Sequence, residues 1–263
     1  PGNEMTGHVE AVRPGVSELQ GGQPVYIASR EPGFQGGCYA EKMAVPAAAV
    51  LALPPGADLE AMAGLGYYSL GRALMHGTAH ARPGETVLVV GAAGGGGAGL
   101  GQTAHYEGKA VIGTVSSPEK AAFAKGVGAD HLIDYRTENV LERVLDITGG
   151  EGVDLILDPV VGPAFADNFK MLKRWGRVVS YNAIGGVPSE GLFAAIRAQG
   201  ERAVSLTCFS MHVYEGDKEG RRRIRDPALA MLASGVKPPP GPRLSLSQAA
   251  EAHRMIEAGR SMG

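Results

Sequence analysis

The strongest chemical signal in the 263-residue chain is the turn Gly91-Ala92-Ala93-Gly94-Gly95-Gly96-Gly97. It follows an apolar run, Thr86-Val87-Leu88-Val89-Val90, and precedes a stretch of helical character reaching about Glu107. Such a turn presents bare backbone amides at a helix N-terminus, which attract a pyrophosphate, and glycine lets the ligand approach the backbone. Two registers meet the spacing of a dinucleotide turn: Gly91-x-x-Gly94-x-x-Gly97 fits the strand end best, and Gly94-x-Gly96-x-x-Gly99 also matches. No Lys-Ser/Thr pair follows, which excludes the P-loop of a nucleotide triphosphatase. A flexible glycine loop without a ligand is the bland alternative.

The next question is which ribose follows. NAD sites place an acidic residue at the end of the second strand, about 20 residues on, to hold the ribose hydroxyls. Here that strand ends Val115-Ser116-Ser117-Pro118-Glu119-Lys120. The small hydroxyls of Ser116 and Ser117, with the cation of Lys120, replace the acid and suit a 2′-phosphate. NADPH is therefore expected in preference to NADH, a solvated helix lysine being the alternative for Lys120.

The elements that must position these residues alternate between strand and helix. Residues 86–90, 111–115, 131–133, 153–157 and 177–180 read as strands, the first of them buried on both faces. Between them fall the helix after the glycine turn and a helix with Ser117 as N-cap and Pro118 at its first position. Val140, Leu141, Val144 and Leu145 mark a third helix, and residues 165–175 read as a fourth. The alternation over roughly 81–206 predicts an α/β fold with a doubly wound parallel sheet. Residues 1–60 read instead as a β-rich unit with strands at 8–12 and 24–28 between Gly/Pro turns. A helix over 59–74 follows the break at Pro54-Pro55-Gly56, residues 203–207 read as a further strand, and Ser247 caps a last helix striped by Ala252, Met255 and Ile256.

Composition narrows the function classes. Glycine makes up 40 of 263 residues, about twice the usual ~7%, which implies many tight turns and close backbone approaches. A formal net charge of -2 offers no case for nucleic acid or an anionic membrane. Two cysteines, Cys38 and Cys208, make neither a disulfide framework nor a four-ligand zinc site, so a reduced cytoplasmic chain is the simplest expectation. The longest apolar stretch, residues 44–54, is short and broken by proline, which predicts no membrane span. No Gly-x-Ser-x-Gly elbow signals a hydrolase. Cys208 reads as a small buried hydrophobe, Cys38 as a residue able to face a cleft, and the Arg221-Arg222-Arg223 and Arg225 run as a solvated face or an anchor for an acidic substrate tail.

Several blocks resemble the medium-chain dehydrogenase/reductase superfamily, namely Pro1-Gly2-Asn3-Glu4 with the stretch from Val9 to Val16. Arg82-Pro83-Gly84-Glu85-Thr86-Val87-Leu88-Val89 and the run from Gly128 to Arg136 resemble its zinc-free quinone oxidoreductase (zeta-crystallin-like) branch. So do Gly152-Val153-Asp154, Gly176-Arg177-Val178-Val179-Ser180 and Ala249-Ala250-Glu251-Ala252-His253-Arg254. Asp158-Pro159 and Val179-Ser180-Tyr181 lean toward the subgroup resembling the vesicle amine transport protein. The resemblance covers nearly the whole chain. It implies a GroES-like β domain split around a Rossmann domain: residues 1–65 partial catalytic domain, 66–206 Rossmann domain, and 207–263 the return with the C-terminal helix. It implies further strands before Pro1 and a last strand after Gly263, so a truncated chain is expected.

By resemblance, the cofactor pattern falls on Gly91, Gly94 and Gly97, with Gly95 and Gly96 between. The 2′-phosphate falls to Lys120 and Tyr135 beside Ser116 and Ser117, and the nicotinamide lies near Asn182 and Phe209. Tyr135 as a plain packing residue remains the alternative. The zinc-dependent branch has Gly-His-Glu where this chain has Gly2-Asn3-Glu4, so no metal is expected; His8 falls inside a strand, and His76 with His80 lacks a third ligand. No catalytic acid is assigned, and packing is the expected role of Tyr67 and Tyr68. The implied activity is NADPH-dependent reduction of a quinone or α,β-unsaturated carbonyl. Enoyl-thioester reduction and non-catalytic NADPH binding are the alternatives. A homodimer is implied, with residues 203–207 as a sheet-extending edge.

Overall fold

A computed structural model describes residues 1–29, 31, 34–188 and 191–263. The chain divides into two compact units, Pro1–Ser69 with His212–Ser261, and Leu70–Met211 with Met262–Gly263.

The first unit is built on a three-stranded antiparallel sheet in the order β1-β2-β3, with β1 Glu4–His8, β2 Pro24–Ala28 and β3 Val50–Ala52. The strand predicted over 8–12 thus lies earlier, ending rather than beginning at His8. Its partner β2 begins at Pro24, which pairs with His8, and beyond the Val9–Gln23 backbone bond residues 10–12 have no strand to pair with. The helix predicted over 59–74 is also broken, into α1 Leu59–Met62 and α2 Leu65–Arg72, followed by a π-helical turn Ala73–Thr78. The break has a specific cause. The Gly66 N–H donates to Glu4 Oε1 at 2.7 Å rather than to a helix carbonyl, and a Cβ at position 66 would stand 2.1 Å from that oxygen.

In the second unit six parallel strands run in the order β6-β5-β4-β7-β8-β9. They are β4 Thr86–Val89, β5 Ala110–Val115, β6 His131–Asp134, β7 Val153–Asp158, β8 Leu172–Ser180 and β9 Ser205–Cys208. Helices α3 Gly95–Tyr106, α4 Pro118–Gly126, α5 Val140–Ile147 and α6 Leu192–Arg197 connect them. This is the doubly wound sheet expected from the sequence, and alternation builds its two cores. Val87, Val89, Leu155 and Leu157 enter the cluster on one face; Leu88 and Ile156 enter the other, with Phe165 and Phe169.

Residues 165–175 do not form one helix. A 3₁₀ segment Pro163–Met171 ends where β8 begins, because from Leu172 the backbone pairs with Val153. Phe165 and Phe169 are four apart, a helical spacing, and they meet edge to face at 5.9 Å. Trp175 sits within β8, where the register to β7 shifts, at φ 64 and 70% exposed. A left-handed tryptophan costs about 1–2 kcal/mol. Cys208, expected to be buried, is exposed because β9 is an edge strand with no neighbour on its outer side; Cys38 is buried.

The chain returns to the first unit with α7 Lys218–Ala233 and α8 Ala249–Glu257. Ala228, Met231 and Leu232 of α7 join Tyr26, Leu53, Met62, Leu65 and Tyr68 in its core. The cap assigned to Ser247 belongs instead to Ser245, which forms a capping box with Gln248 on a 3₁₀ turn leading into α8. The arginine run occupies the first turns of α7, where Arg221 pairs with Glu31 and Arg225 with Asp226. Asp217 and Glu219 share those turns, and Arg222 and Arg223 are exposed.

One carboxylate organises the start of the second unit. Glu107 accepts from Arg72, from His76 Nε2 at 2.7 Å and from Lys109 Nζ at 2.7 Å, the Lys109 side chain being fully buried. His76 is therefore committed to a hydrogen bond with Glu107, and His80 lies beyond the π-turn, at φ 49. Burial alone would raise the Glu107 pKa, but the bonds from Lys109 and His76 outweigh it and hold the carboxyl below its usual range. Stabilisation from a lowered carboxylate is present above its unfolded pKa and lost as pH falls through the folded value. Glu107→Gln should leave Lys109 buried without its counter-charge and cost about 3 kcal/mol. Denaturant unfolding at pH 7 should show that loss, with the gap to the parent chain narrowing at pH 3–4 on the order of the carboxylate pKa.

Candidate dinucleotide-binding site

Because all six strands are parallel, the segments leaving their carboxyl ends lie along one edge of the sheet. The order turns at β4 and β7: the chain runs outward from β4 through β5 to β6, then returns to β7 on the other side. That switch point is where open α/β sheets bind ligands.

The glycine turn leaves β4 there. Val90 N–H donates to Leu157 O at 3.1 Å, Gly91 N–H to Thr114 Oγ1 at 3.0 Å, and Ala92 N–H to Thr114 O at 2.9 Å. The turn is thus pinned to β7 and β5 at once. Gly91 takes φ 74, which favours glycine. A Cβ at Gly97 would stand 2.2 Å from Gly91 O, so glycine there lets α3 close on the turn. At Gly94 the demand is different: a Cβ would meet only Gly91 O, at 3.7 Å, and otherwise open space. Gly94 is also the N-cap of α3 and supplies no side-chain cap. The amides of Gly95, Gly96 and Gly97 open the helix and have no intrahelical acceptor. A cradle with room beside Gly94 and uncapped amides fits a pyrophosphate.

At the end of β5, Ser117 caps α4 by accepting the Lys120 N–H at 3.2 Å, so its hydroxyl is spent in part on the helix. Ser116 precedes it, and both are partly exposed. Tyr135 follows β6, and its N–H donates to Val115 O at 3.1 Å, which sets it beside the Ser116–Lys120 segment. The residue is 53% exposed. At the ends of β8 and β9, Asn182 is exposed with Oδ1 accepting from Ala183 N–H, and Phe209 packs partly buried, its N–H donating to Ser180 O at 2.7 Å. The turn glycines, Ser116, Ser117, Lys120, Tyr135, Asn182 and Phe209 thus all leave the same edge of one sheet.

Two roles at this edge escaped the sequence reading, although Asp158 was quoted there for the family resemblance. Thr114 holds the turn, and its only sequence signal was a hydroxyl inside the apolar strand Ala110–Val115. Asp158, buried at the end of β7, accepts from Val160 N–H at 2.7 Å, Val161 N–H at 3.0 Å and Asn168 Nδ2 at 2.7 Å. It folds back a loop in which Val161 takes φ 60. That loop is bonded to the segment carrying Asn182, through Ile184 N–H to Pro159 O at 3.1 Å and Gly185 N–H to Val160 O at 2.8 Å.

In the first unit, Glu4 receives Tyr26 OH at 2.6 Å as well as the Gly66 amide. Burial pushes its carboxyl upward against the pull of those two bonds. Tyr68 is a core residue, as expected, whereas Tyr67 is 45% exposed. Among the described residues, no group of three or more His, Cys, Asp or Glu side chains is arranged to hold a metal ion.

Paired substitutions separate the roles of the glycines. Gly97→Ala should cost about 1–3 kcal/mol through the clash with Gly91 O. Gly94→Ala should stay within about 1 kcal/mol of the parent, yet its methyl should obstruct the dinucleotide and weaken binding by calorimetry. Unchanged binding by Gly94→Ala would place the pyrophosphate elsewhere.

Comparison with known proteins agrees with this architecture. Residues 95–216 match the family described as zinc-binding dehydrogenase, and residues 1–55 match the alcohol dehydrogenase GroES-like domain. A quinone oxidoreductase of Pseudomonas aeruginosa is 32% identical over 264 residues, covering all of this chain and 79% of that protein. A 2-haloacrylate reductase of a Burkholderia species is 34% identical over 189 residues, 71% of this chain and 56% of that protein. The Escherichia coli quinone oxidoreductase, solved as a complex with NADPH, superposes with a TM-score of 0.83 at 28% identity, over 100% of this chain and 80% of that one. With the Rossmann-like parallel sheet, the glycine turn at its switch point and these relatives, the chain belongs to the quinone oxidoreductase branch of the medium-chain dehydrogenase/reductase superfamily.

Proposed function

We propose that this chain is an NADPH-dependent oxidoreductase that reduces a quinone or an α,β-unsaturated carbonyl without zinc. The observation that carries the cofactor choice is the end of β5, where Ser116, Ser117 and Lys120 stand beside Tyr135 and no acidic side chain closes the strand. The NADPH complex of the Escherichia coli relative supports the same choice. The names of the relatives support the acceptor class: a quinone for one, a haloacrylate, whose double bond is conjugated to a carboxylate, for another.

When bound, NADPH supplies the hydride. The chain's part is to bind and orient it. The amides of Gly95, Gly96 and Gly97 hold the pyrophosphate, and the vacant space at Gly94 admits it. Lys120, Ser116 and Tyr135 hold the 2′-phosphate, Lys120 supplying charge and the hydroxyls hydrogen bonds. Asn182 and Phe209 orient the nicotinamide end, Asn182 from a loop clipped to the Asp158 turn and Phe209 by apolar contact. Zinc does not fit the donors present. Asn3 occupies the position of a histidine in the zinc-dependent branch, and the described residues offer no three-ligand group. Negative charge developing on the acceptor oxygen is then stabilised by hydrogen bonds.

NADPH oxidation followed by the loss of the reduced nicotinamide absorbance, with an ortho-quinone, a simple enone and a crotonyl thioester as acceptors and NADH as control, tests the reading. Turnover with NADPH and a quinone or enone is expected. Tight NADPH binding without turnover on any acceptor would make the chain a binding protein, and turnover confined to the thioester would assign it to enoyl-thioester reduction.

The same reading includes a homodimer in a reducing cytoplasmic setting. β9 ends the sheet, with Ser205, Thr207 and Cys208 exposed, so a second copy can extend the ladder there. Both cysteines are free, and no helix of the described residues is long and apolar enough to cross a membrane. Sedimentation equilibrium should give twice the 27.2 kDa chain mass; a monomer at micromolar concentration would remove the dimer.

A further inference from the structure

The NADPH reading leaves a charge to be accounted for, and the inference drawn from it rests on that reading. A phosphate monoester carries about -1.5 to -2 charges at pH 7, whereas Lys120 supplies one positive charge. The segment leaving β6 holds a second cation, Arg136. Tyr135 is tied to Val115 O by its own N–H, which fixes the start of this segment against the end of β5, where Ser116 begins. Adjacent strands run about 4.8 Å apart, so a side chain the length of arginine reaches across.

The acids of the same turn are already engaged within it. Asp134 Oδ1 accepts the Arg136 N–H at 3.0 Å. Glu138 accepts the Asp134 N–H at 2.9 Å through Oε1 and Arg143 Nε at 2.9 Å through Oε2. Arg143 also bonds Asp146. Arg136, by contrast, is exposed, and among the described residues no acceptor meets its guanidinium. Glu119, in the first turn of α4, is the exposed acid nearest in sequence to Lys120 and opposes an anion there, which raises the need for a second cation.

We propose that Arg136 is a specificity-determining residue for the 2′-phosphate, acting with Lys120 from the opposite strand end. The turn is built for it: the Asp134 carboxylate fastens the Arg136 backbone, Glu138 fastens Asp134, and the guanidinium is left to form two parallel bonds to phosphate oxygens.

Calorimetric titration with 2′,5′-ADP and with 5′-AMP reads this site without turnover. The parent chain should prefer 2′,5′-ADP. Arg136→Ala should weaken 2′,5′-ADP about tenfold, equivalent to about 1.4 kcal/mol, and leave 5′-AMP within about twofold. Arg136→Lys, which keeps the charge and loses the fork, should fall between. The substitutions are exposed, so thermal unfolding should be unchanged within about 0.5 kcal/mol. Retention of full 2′,5′-ADP affinity by Arg136→Ala, alongside its loss in Lys120→Ala, would overturn the role of Arg136 and leave NADPH in place. A parent chain that does not distinguish the two probes would overturn the NADPH reading and the role of Arg136 with it.

Discussion

Thr114 is the residue on which the geometry of the site depends. Its hydroxyl and its carbonyl receive the first two amides of the glycine turn, while Val90, one residue earlier, is bonded to β7. A turn rich in glycine has a large conformational entropy to lose, and three bonds to two neighbouring strands remove much of that freedom before a ligand arrives. The uncapped amides of α3 are then presented in a fixed direction, which is what a pyrophosphate requires. Gly113 belongs to the same arrangement: a Cβ there would stand 2.6 Å from the Ala92 side chain, so the turn lies directly on β5.

The parallel ladder carries this constraint outward. Once β4, β5 and β6 are in register, with Val89 opposite Gly113 and Val115 opposite Asp134, the segments beyond them emerge at one edge without further instruction. Ser116 and Tyr135 become neighbours although 18 residues separate them in the chain, and their proximity follows from pairing rather than from any contact of their own. On the other side of the switch point, bonds between the loops after β7 and β8 serve the same purpose, with the Asp158 carboxylate as the fastener.

The repeating part of the fold was legible because apolar runs of strand length are diagnostic when a helix separates them. Thr86–Val89 and Val153–Asp158 stand almost where they were expected. The departures arise where a long-range bond overrides a local pattern. The apolar spacing of residues 59–74 is helical, yet the Glu4 carboxylate captures the Gly66 amide from 62 residues away. The spacing of Phe165 and Phe169 is equally helical, yet pairing with Val153 draws the chain into β8 from Leu172. At the candidate site, the glycines, Ser116, Lys120 and Tyr135 were readable from residue type and position. The roles of Thr114 and Asp158 were not, because their work is done largely through backbone amides that no motif names.

Two partly buried carboxylates show how differently the units use charge. Glu107 is surrounded by Arg72, His76 and Lys109, and its negative charge is what makes a fully buried lysine tolerable. Among the described residues no cation meets Glu4; it is held by a phenol and a backbone amide, and burial drives its carboxyl toward the neutral form. The first arrangement is an ion cluster whose strength depends on ionisation. The second joins β1, β2 and the start of α2 through hydrogen bonds that a carboxyl can retain in either charge state, with Oε1 as their common acceptor. A partly buried acid of this kind is a geometric fastener, and glycine at position 66 is its necessary complement, since any side chain there would occupy the place of the oxygen it binds.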